Sequence, residues 1–170
     1  MTWSRVDARR EAVRRLVNQL RCVTAGQLSR RLGLSRTQAA YTLRTLERLG
    51  AVVRYDIGVH VWCIPSASEG EVYTAVSPCF KHVDEAFRKI VGGARGRLLT
   101  LTPGDLVKAM ARLYRRDCSS AAGSPYLLAA ARRWLERYLD GAILTRSRSE
   151  WRYVKYVIDV KKAREKLGYV

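Results

Sequence analysis

The sequence is poor in acidic residues, in side-chain amides and in long apolar runs. Its 170 residues hold 15 Asp and Glu against 32 Lys and Arg, a formal net charge of +17 at neutral pH. The amide side chains are Asn18, Gln19, Gln27 and Gln38. No apolar run approaches the ~20 residues that cross a bilayer, and the first residues turn charged without an apolar signal core. We therefore expect a cytoplasmic protein that is attracted to a polyanion.

The residue patterns of common catalytic and metal sites are also missing. The sequence contains two histidines, His60 and His82, no Cys-x-x-Cys pair and no glycine-rich phosphate loop. It therefore predicts no enzyme, no metal and no cofactor. The scarcity of amides and the preference for arginine favour a thermophilic, archaeal source.

The four cysteines of the chain are Cys22, Cys63, Cys79 and Cys118. One interpretation is that they are small buried apolar side chains. The other is a disulfide between Cys63 and Cys79, since intracellular disulfides occur in hyperthermophiles. The spacing alone does not decide between the two.

The basic excess is spread along the whole chain. Residues 1–66 carry twelve arginines, no lysine and four acids, which leaves a net charge of +8. Residues 67–170 carry twenty basic and eleven acidic residues, which leaves +9. Because these charges alternate with apolar residues, they belong to folded surfaces rather than to a flexible tail. Nucleic acid is the polyanion that this pattern favours, with an anionic membrane surface or an acidic protein as alternatives.

The first domain, residues 1–65, begins with three predicted helices. Apolar residues at helical spacing indicate one from Asp7 to Leu20 and a short one from Ala25 to Leu32. Ser35 and Gln38 form an S-x-x-Q capping box that starts the third helix, which stops at a glycine.

Two strands, residues 51–55 and 59–64, follow around the turn Asp56–Gly58. From Thr24 to Arg54, a short helix, a Gly-Leu-Ser turn, a helix ending in Leu-Glu-Arg-Leu-Gly and a strand succeed one another. This stretch resembles the winged helix-turn-helix domains of bacterial and archaeal transcription regulators. The resemblance implies that the helix after Ser35 reads the major groove of DNA and that the hairpin is a wing.

A polar break separates this domain from the rest of the chain. Residues 66–76 predict a linker that includes a short strand over residues 71–76. The second domain, residues 77–170, predicts a helix, a short strand and a second helix, then a loop over residues 115–123. A third helix, a hairpin over residues 142–159 and a terminal helix complete it.

Two short motifs recur in the second domain. Thr102–Leu106 echoes Thr24–Leu28, and Leu135–Arg137 echoes Leu46–Arg48. The predicted fold class is therefore mainly α with small β-hairpins (α+β), arranged as two winged helix-turn-helix units in tandem.

The candidate DNA contacts fall into three groups. Side chains that can reach base edges line the exposed stripe of the third helix: Arg36, Thr37, Gln38 and Tyr41, with Thr42, Thr45 and Arg48 further along. Arginines expected to meet phosphates flank that helix: Arg30, Arg31, Arg44 and Arg54. The second hairpin offers three more: Arg146, Arg148 and Arg152. The alternative is that Gln38 is only a cap and that the others are a solvated face and a basic loop.

We expect a double-stranded DNA-binding protein, either a transcription regulator or a chromosome- or replicon-associated factor on the nucleoid. Residues 125–131 open the last recognition helix with almost no base-reading side chains. The second domain is therefore expected to supply phosphate contacts, or a homodimer or protein interface. Two other functions stay open: a tandem winged-helix scaffold for protein interactions, and an RNA-binding protein.

Overall fold

A computed structural model describes residues 4–118, 125–149 and 153–168. The chain divides into two compact units, with the boundary between Val76 and Ser77. Each unit combines helices with a three-stranded antiparallel sheet. The predicted α+β class is therefore confirmed.

The first unit contains four helices and three strands among its described residues. The helices are α1 (Arg5–Leu20), α2 (Ala25–Leu32), α3 (Arg36–Arg48) and α4 (Glu69–Val76), and the strands are β1 (Cys22–Val23), β2 (Val53–Asp56) and β3 (His60–Cys63). Strand β3 lies between the other two, so that Trp62 is opposite Val23 on one side and Arg54 on the other. The three predicted helices and the hairpin are confirmed.

Side-chain caps set the start of α2 and of α3. The hydroxyl of Thr24 accepts from the backbone N–H of Gln27, and that of Ser35 accepts from the N–H of Gln38. In each pair the glutamine side chain accepts in return from the backbone N–H of the cap residue. Between the two helices, Gly33 ends α2 in the left-handed region at φ +66°, where a residue without Cβ is favoured.

The core of the first unit is formed by α1, α2, α3 and the sheet. Its buried members include Val13, Val17, Leu28, Leu43 and Trp62. Each of these side chains is at most 2% exposed. Burial of this apolar area is the main force that holds α3 with one stripe inward and the opposite stripe in solvent.

Residues 66–76 do not form the predicted linker, and the predicted strand over residues 71–76 is wrong. This segment carries α4, which packs against β1 and β3 through its buried residues Val72 and Tyr73. Ser68 and Glu71 exchange cap hydrogen bonds of the S-x-x-E type at the start of α4, a signal that sequence inspection overlooked. Arg21 then ties the helix to the unit through a 2.6 Å ion pair with Glu71.

The second unit begins with a 3-10 helix over Pro78–His82. Its further helices are α5 (Val83–Gly92), α6 (Pro103–Leu113), α7 (Arg115–Cys118), α8 (Pro125–Tyr138) and α9 (Val160–Lys166), and its strands are β4 (Leu98–Leu101), β5 (Ile143–Ser149) and β6 (Tyr153–Asp159). Strand β6 lies between β4 and β5. The loop predicted over residues 115–123 is wrong at its start, because α7 occupies residues 115–118.

The two units repeat one topology. Apart from the short additional helix α7 in the second unit, a helix, a strand, two helices and a hairpin follow one another in each, and the last strand is the central one. Helix α6 starts with a capping box, as α2 does. The glutamate of each Leu-Glu-Arg motif also pairs with an arginine of the next strand: Glu47 with Arg54 at 3.2 Å, and Glu136 with Arg146 at 3.5 Å.

Two disulfides lie within the units, and the predicted Cys63–Cys79 bridge is wrong. Cys22 of β1 is bonded to Cys63 of β3, with 4.1 Å between their Cα atoms, and Cys79 is bonded to Cys118 of α7, with 5.0 Å. The interpretation of the cysteines as small buried side chains is confirmed in their burial, since none is more than 5% exposed, but all four are bonded in disulfides. Cys22 and Cys63 are directly opposite each other in the sheet. The sequence did not predict this register, because β1 is only two residues long.

Reduction of the disulfides should lower the stability of the chain. The bonded cysteines are 41 and 39 residues apart, and loop entropy predicts about 4 kcal/mol from closing a loop of that length, with typical values of about 2–4 kcal/mol. The double variant C22S/C63S should therefore unfold at a clearly lower temperature than the oxidised wild type in a calorimetric scan. The variant C22S/C63S/C79S/C118S is the control, since its Tm should not respond to reductant. An unchanged wild-type Tm after complete reduction, verified by thiol titration, would contradict the expectation.

Candidate nucleic-acid interface

Helix α3 presents one apolar face to the core and one polar face to solvent. Ala39, Leu43 and Leu46 are buried at helical spacing. The residues that are exposed on the outward face are Arg36, Thr37, Gln38, Tyr41, Arg44 and Arg48. Tyr41 is 61% exposed, which is unusual for a large aromatic side chain. The structure therefore brings these six predicted residues together on one helix surface.

The two threonines predicted to contact DNA further along α3 are less exposed than these six residues. Thr42 is only 5% exposed, and its hydroxyl donates to the carbonyl oxygen of Gln38 at 2.9 Å. The expectation that Thr42 contacts DNA is therefore wrong, because Thr42 belongs to the buried stripe beside Leu43. Thr45 is half-buried, and its hydroxyl donates to the carbonyl oxygen of Tyr41 at 3.0 Å.

Gln38 is engaged in the capping box. Its side-chain oxygen accepts from the backbone N–H of Ser35 at 3.1 Å. Bidentate recognition of adenine uses both the oxygen and the NH2 group of a glutamine. The cap occupies the oxygen, whereas the NH2 group takes no part in the cap. Gln38 in this rotamer is therefore best suited to donate to an acceptor such as guanine O6 or thymine O4.

The arginines around α3 have few acidic neighbours. No carboxylate oxygen of the described residues lies within 4.0 Å of five of them: Arg30, Arg31, Arg36, Arg44 and Arg48. Arg54 differs, since it pairs with Glu47 at 3.2 Å. Other acids of the unit are engaged elsewhere: Glu11 holds two arginines of α1, and Glu71 holds Arg21. The surface around α3 therefore keeps a local excess of positive charge.

Two of these arginines converge over the first turn of α2. A Cβ atom built on Gly26 would lie 3.8 Å from Nη1 of Arg30 and 3.8 Å from Nη2 of Arg36. Nη1 of Arg30 and Nη2 of Arg36 are therefore separated by no more than twice 3.8 Å, and both lie next to Gly26. A distance of 3.8 Å is an ordinary van der Waals contact, so this approach of the two arginines does not by itself require a glycine at this position.

The turn of the first hairpin is short and folded on itself. The backbone N–H of Gly58 donates to Oδ1 of Asp56 at 3.1 Å, and Ile57 between them is buried. His60 lies 3.9 Å from the Asp56 carboxylate. A turn that carries an acid and buries its apolar residue is poorly suited to enter a minor groove.

The second unit holds its cationic side chains differently. A single carboxylate oxygen of Glu136 accepts from the hydroxyl of Tyr156 at 2.7 Å and from Nε of Arg132 at 3.2 Å, and it lies 3.5 Å from Nη1 of Arg146. The Arg146 guanidinium also stands 5.6 Å from the centre of the Tyr156 ring. Arg146 is therefore exposed, and it shares one carboxylate with Arg132. The predicted contact Arg152 and the side chain of Arg148 lie outside the described part of the chain.

The same cluster shifts two ionisation equilibria. Burial alone would raise the pKa of the Glu136 carboxyl, but hydrogen bonds from Tyr156 and Arg132 and the charge of Arg146 hold that pKa below its ordinary value. Burial, together with the Glu136 carboxylate, raises the pKa of Tyr156 to about 12.

The apolar start of α8 is mostly used inside the unit. Leu127 and Ala130 are buried, whereas Tyr126 is 55% exposed. A surplus apolar surface at this helix is therefore limited to Tyr126.

Among the residues that the structure describes, no helix is long and apolar enough to cross a membrane. In that same part of the chain, no group of three or more His, Cys, Asp or Glu side chains is placed to hold a metal ion.

Comparison with known proteins gives a fold and no function. No protein-family model and no curated protein matches the sequence. The chain is similar to the crystal structure of a hypothetical protein from Pyrobaculum spherical virus, with a TM-score of 0.62 and 20% sequence identity. The similarity covers 94% of this chain and 99% of that one. At this identity it shows a shared fold alone, and it spans nearly the whole of both chains.

The Tyr156–Glu136 cluster predicts a loss of stability at alkaline pH. An unfolded tyrosine ionises near pH 10, whereas Tyr156 in the folded chain keeps its proton to about pH 12. The stability that depends on this proton is complete below pH ~10 and is lost as the pH rises toward 12. We expect the free energy of unfolding of the wild type to fall more steeply across this window than that of Y156F, by up to about 1.4 kcal/mol per pH unit.

Urea unfolding at a series of alkaline pH values measures this difference. The variant Y126F, which changes an exposed tyrosine, should behave like the wild type. Identical slopes for the wild type and Y156F would show that the Tyr156 proton does not contribute to folding.

Proposed function

We propose that the chain is a double-stranded DNA-binding protein made of two winged helix-turn-helix units, whose first unit reads DNA with α3. The observation that carries the proposal is the outward face of α3. There Arg36, Arg44 and Arg48 are exposed and have no carboxylate within 4.0 Å among the described residues. Unpaired arginines beside polar side chains at the start of a helix are typical of major-groove recognition.

The order of elements supports this proposal. Helices α2 and α3 are joined by a tight turn at Gly33, and a β-hairpin follows α3. In proteins with this order, the second helix of the pair enters the major groove, whose width of about 12 Å admits one helix. Arg36, Thr37 and Gln38 lie in the first turn of α3, where base contacts are made.

Backbone contacts are proposed for the arginines beside α3. The guanidinium groups of Arg30 and Arg36 approach each other at Gly26 without a carboxylate between them. Two like charges at this separation repel each other, and a phosphate placed between them would relieve the repulsion. Arg31 and Arg44 extend the same basic surface, whereas Arg54 must share its charge with Glu47.

On this proposal the protein acts as a transcription regulator or as a chromosome- or replicon-associated factor on the nucleoid, and it is not an enzyme. RNA recognition through stacked bases is less well supported, because Trp62 and Trp134 are 2% and 8% exposed and Tyr41 is the single aromatic side chain of α3 on which a base could stack.

A protein-interaction scaffold is the second candidate function. The observation that favours it is the exposure of three large apolar side chains in the second unit: Leu98, Tyr126 and Leu144. A homodimer or a protein partner would cover such residues. Mobility shift of a random duplex at moderate salt separates the two candidates, since DNA binding by α3 predicts a shift and a protein-interaction scaffold does not.

The first test concerns sequence preference. The variant R36A/Q38A should reduce the ratio between the affinities for a selected site and for a random duplex more than it reduces the affinity for the random duplex. The reason is that base contacts discriminate between sequences, at about 1–3 kcal/mol for a good bidentate pair, whereas phosphate contacts do not. Selection from random duplexes followed by fluorescence anisotropy measures both affinities.

The matched control is R15A/Q27A. It removes one exposed arginine of α1 and the capping glutamine of α2, so the charge change and the type of lost cap are the same. Equal losses on selected and random duplexes for R36A/Q38A would overturn the base-reading role of α3.

The second test concerns salt dependence. Each phosphate contact contributes roughly −0.9 to the slope of log affinity against log salt concentration. The variant R44A should therefore make this slope less steep by about 0.9 on any duplex. The control R14A removes an arginine that is already paired with Glu11 at 2.7 Å on α1, and it should leave the slope unchanged. A slope that R44A does not alter would exclude Arg44 from the backbone contacts.

A further inference from the structure

In the second unit, α8 and the hairpin of β5 and β6 correspond to α3 and the hairpin of β2 and β3 in the first unit. As a DNA-binding surface, α8 and this hairpin are incomplete. Arg132 and Arg146 both share the carboxylate of Glu136. Two arginines and one carboxylate leave this cluster a net charge of +1, and each contact to a phosphate would compete with Glu136. Basic side chains without an acidic neighbour are therefore stronger candidates for contacts to a polyanion.

Six exposed basic side chains that have no acidic partner among the described residues lie on α9 or next to it. Three of the seven lysines of the chain lie in the seven residues of this helix. We define the α9 surface by six exposed basic residues: Arg95, Arg97, Lys161, Lys162, Arg164 and Lys166. No carboxylate oxygen of the described chain lies within 4.0 Å of any of the six side chains. The acids within the same segments are Asp159, which caps α9, and Glu165.

Backbone and side-chain contacts join these residues into one surface. The N–H of Val160, the first residue of α9, donates to the carbonyl oxygen of Arg97 at 3.0 Å. One turn later, Nη2 of Arg164 donates to the carbonyl oxygen of Ala94 at 3.2 Å. The segment before β4 is thereby fixed along α9, so that Arg95 and Arg97 lie next to the lysines of the helix.

The chemistry of this surface selects its ligand. The apolar residues of α9, Val160, Ala163 and Leu167, are buried in the unit, so the helix has no exposed apolar face with which to enter a membrane interface. Residues 93–98 and 160–168 contain no aromatic side chain on which a single strand could stack its bases. Tyr138, whose hydroxyl donates to the carbonyl oxygen of Lys166 at 3.5 Å, is half-buried and stacked on Trp134. With six exposed lysines and arginines against one exposed acid, Glu165, the surface fits a closely spaced row of phosphates, as a duplex presents.

We propose that the α9 surface is a second DNA-binding site, which contacts the phosphate backbone of duplex DNA without reading its sequence. This inference rests on the proposed function and extends it to the second unit. The second unit then binds DNA through α9 and the segment before β4, and not through α8 and the second hairpin.

The test compares two triple variants of the full chain. K161A/K162A/K166A removes the lysines of the α9 surface, and K81A/K108A/K155A removes three exposed lysines elsewhere in the same unit. Both change the net charge equally, and alanine favours helix formation at all three α9 positions. On a random-sequence duplex, the α9 variant should bind at least tenfold more weakly than the control, and its log–log salt slope should be less steep by about 2–3. K161R/K162R/K166R should bind like the wild type.

The outcomes separate this inference from the proposed function. Equal binding by the two alanine variants, with duplex binding still sensitive to R44A, would overturn the α9 site and leave the role of α3 intact. Absence of duplex binding by the wild type would overturn both. If the α9 variant lost binding only to anionic lipid vesicles or to single-stranded RNA, the surface would exist but the duplex assignment would be wrong.

Discussion

The packing of α3 on the core of the first unit is the constraint on which the rest depends. Leu43 and Leu46 are buried against residues of α1, α2 and the sheet, and Thr42 lies in the same stripe. Because turning α3 about its own axis would expose those leucines, their burial fixes the rotational position of the helix. That rotation decides that Arg36 and Arg44 point to solvent, and all proposed chemistry of the surface follows from it.

In both units, a glutamate of the helix forms an ion pair with an arginine of the following hairpin, but the electrostatic consequences differ. Glu47 takes up the charge of Arg54 alone and leaves the arginines of α3 unpaired. Glu136 takes up Arg132 and Arg146 together, and it also accepts from the buried hydroxyl of Tyr156. One glutamate in an equivalent position therefore pairs with a single arginine in the first unit and is shared by two arginines in the second. This difference arises from the neighbours of the glutamate and not from the fold.

Local signals in the sequence predicted the helices of the first unit well, whereas the sequence did not predict pairings between distant residues. Caps and apolar periodicity located α1, α2 and α3, because these signals lie within a few residues of each other. The disulfide between Cys22 and Cys63 depends on strand register, which no local pattern encodes. The burial of Thr42 follows from the exact rotation of α3, since a threonine at the edge of the stripe fits either side. The ion pair of Arg146 was not predicted either, because its partner Glu136 is ten residues away in sequence.

The distribution of acids explains how a chain of net charge +17 keeps distinct surfaces. Carboxylates take up part of the arginine charge on α1, at the α4 junction and beside the second hairpin. Arg36, Arg44 and Arg48 of α3 and the six basic side chains of the α9 surface have no carboxylate within 4.0 Å in the described part of the chain. A basic surface on one face of a unit restricts the orientation in which that unit can hold a polyanion, whereas positive charge spread evenly over the unit would not. The proposed base reading by α3 needs this restriction, because α3 could discriminate between sequences only if the duplex met it in one orientation.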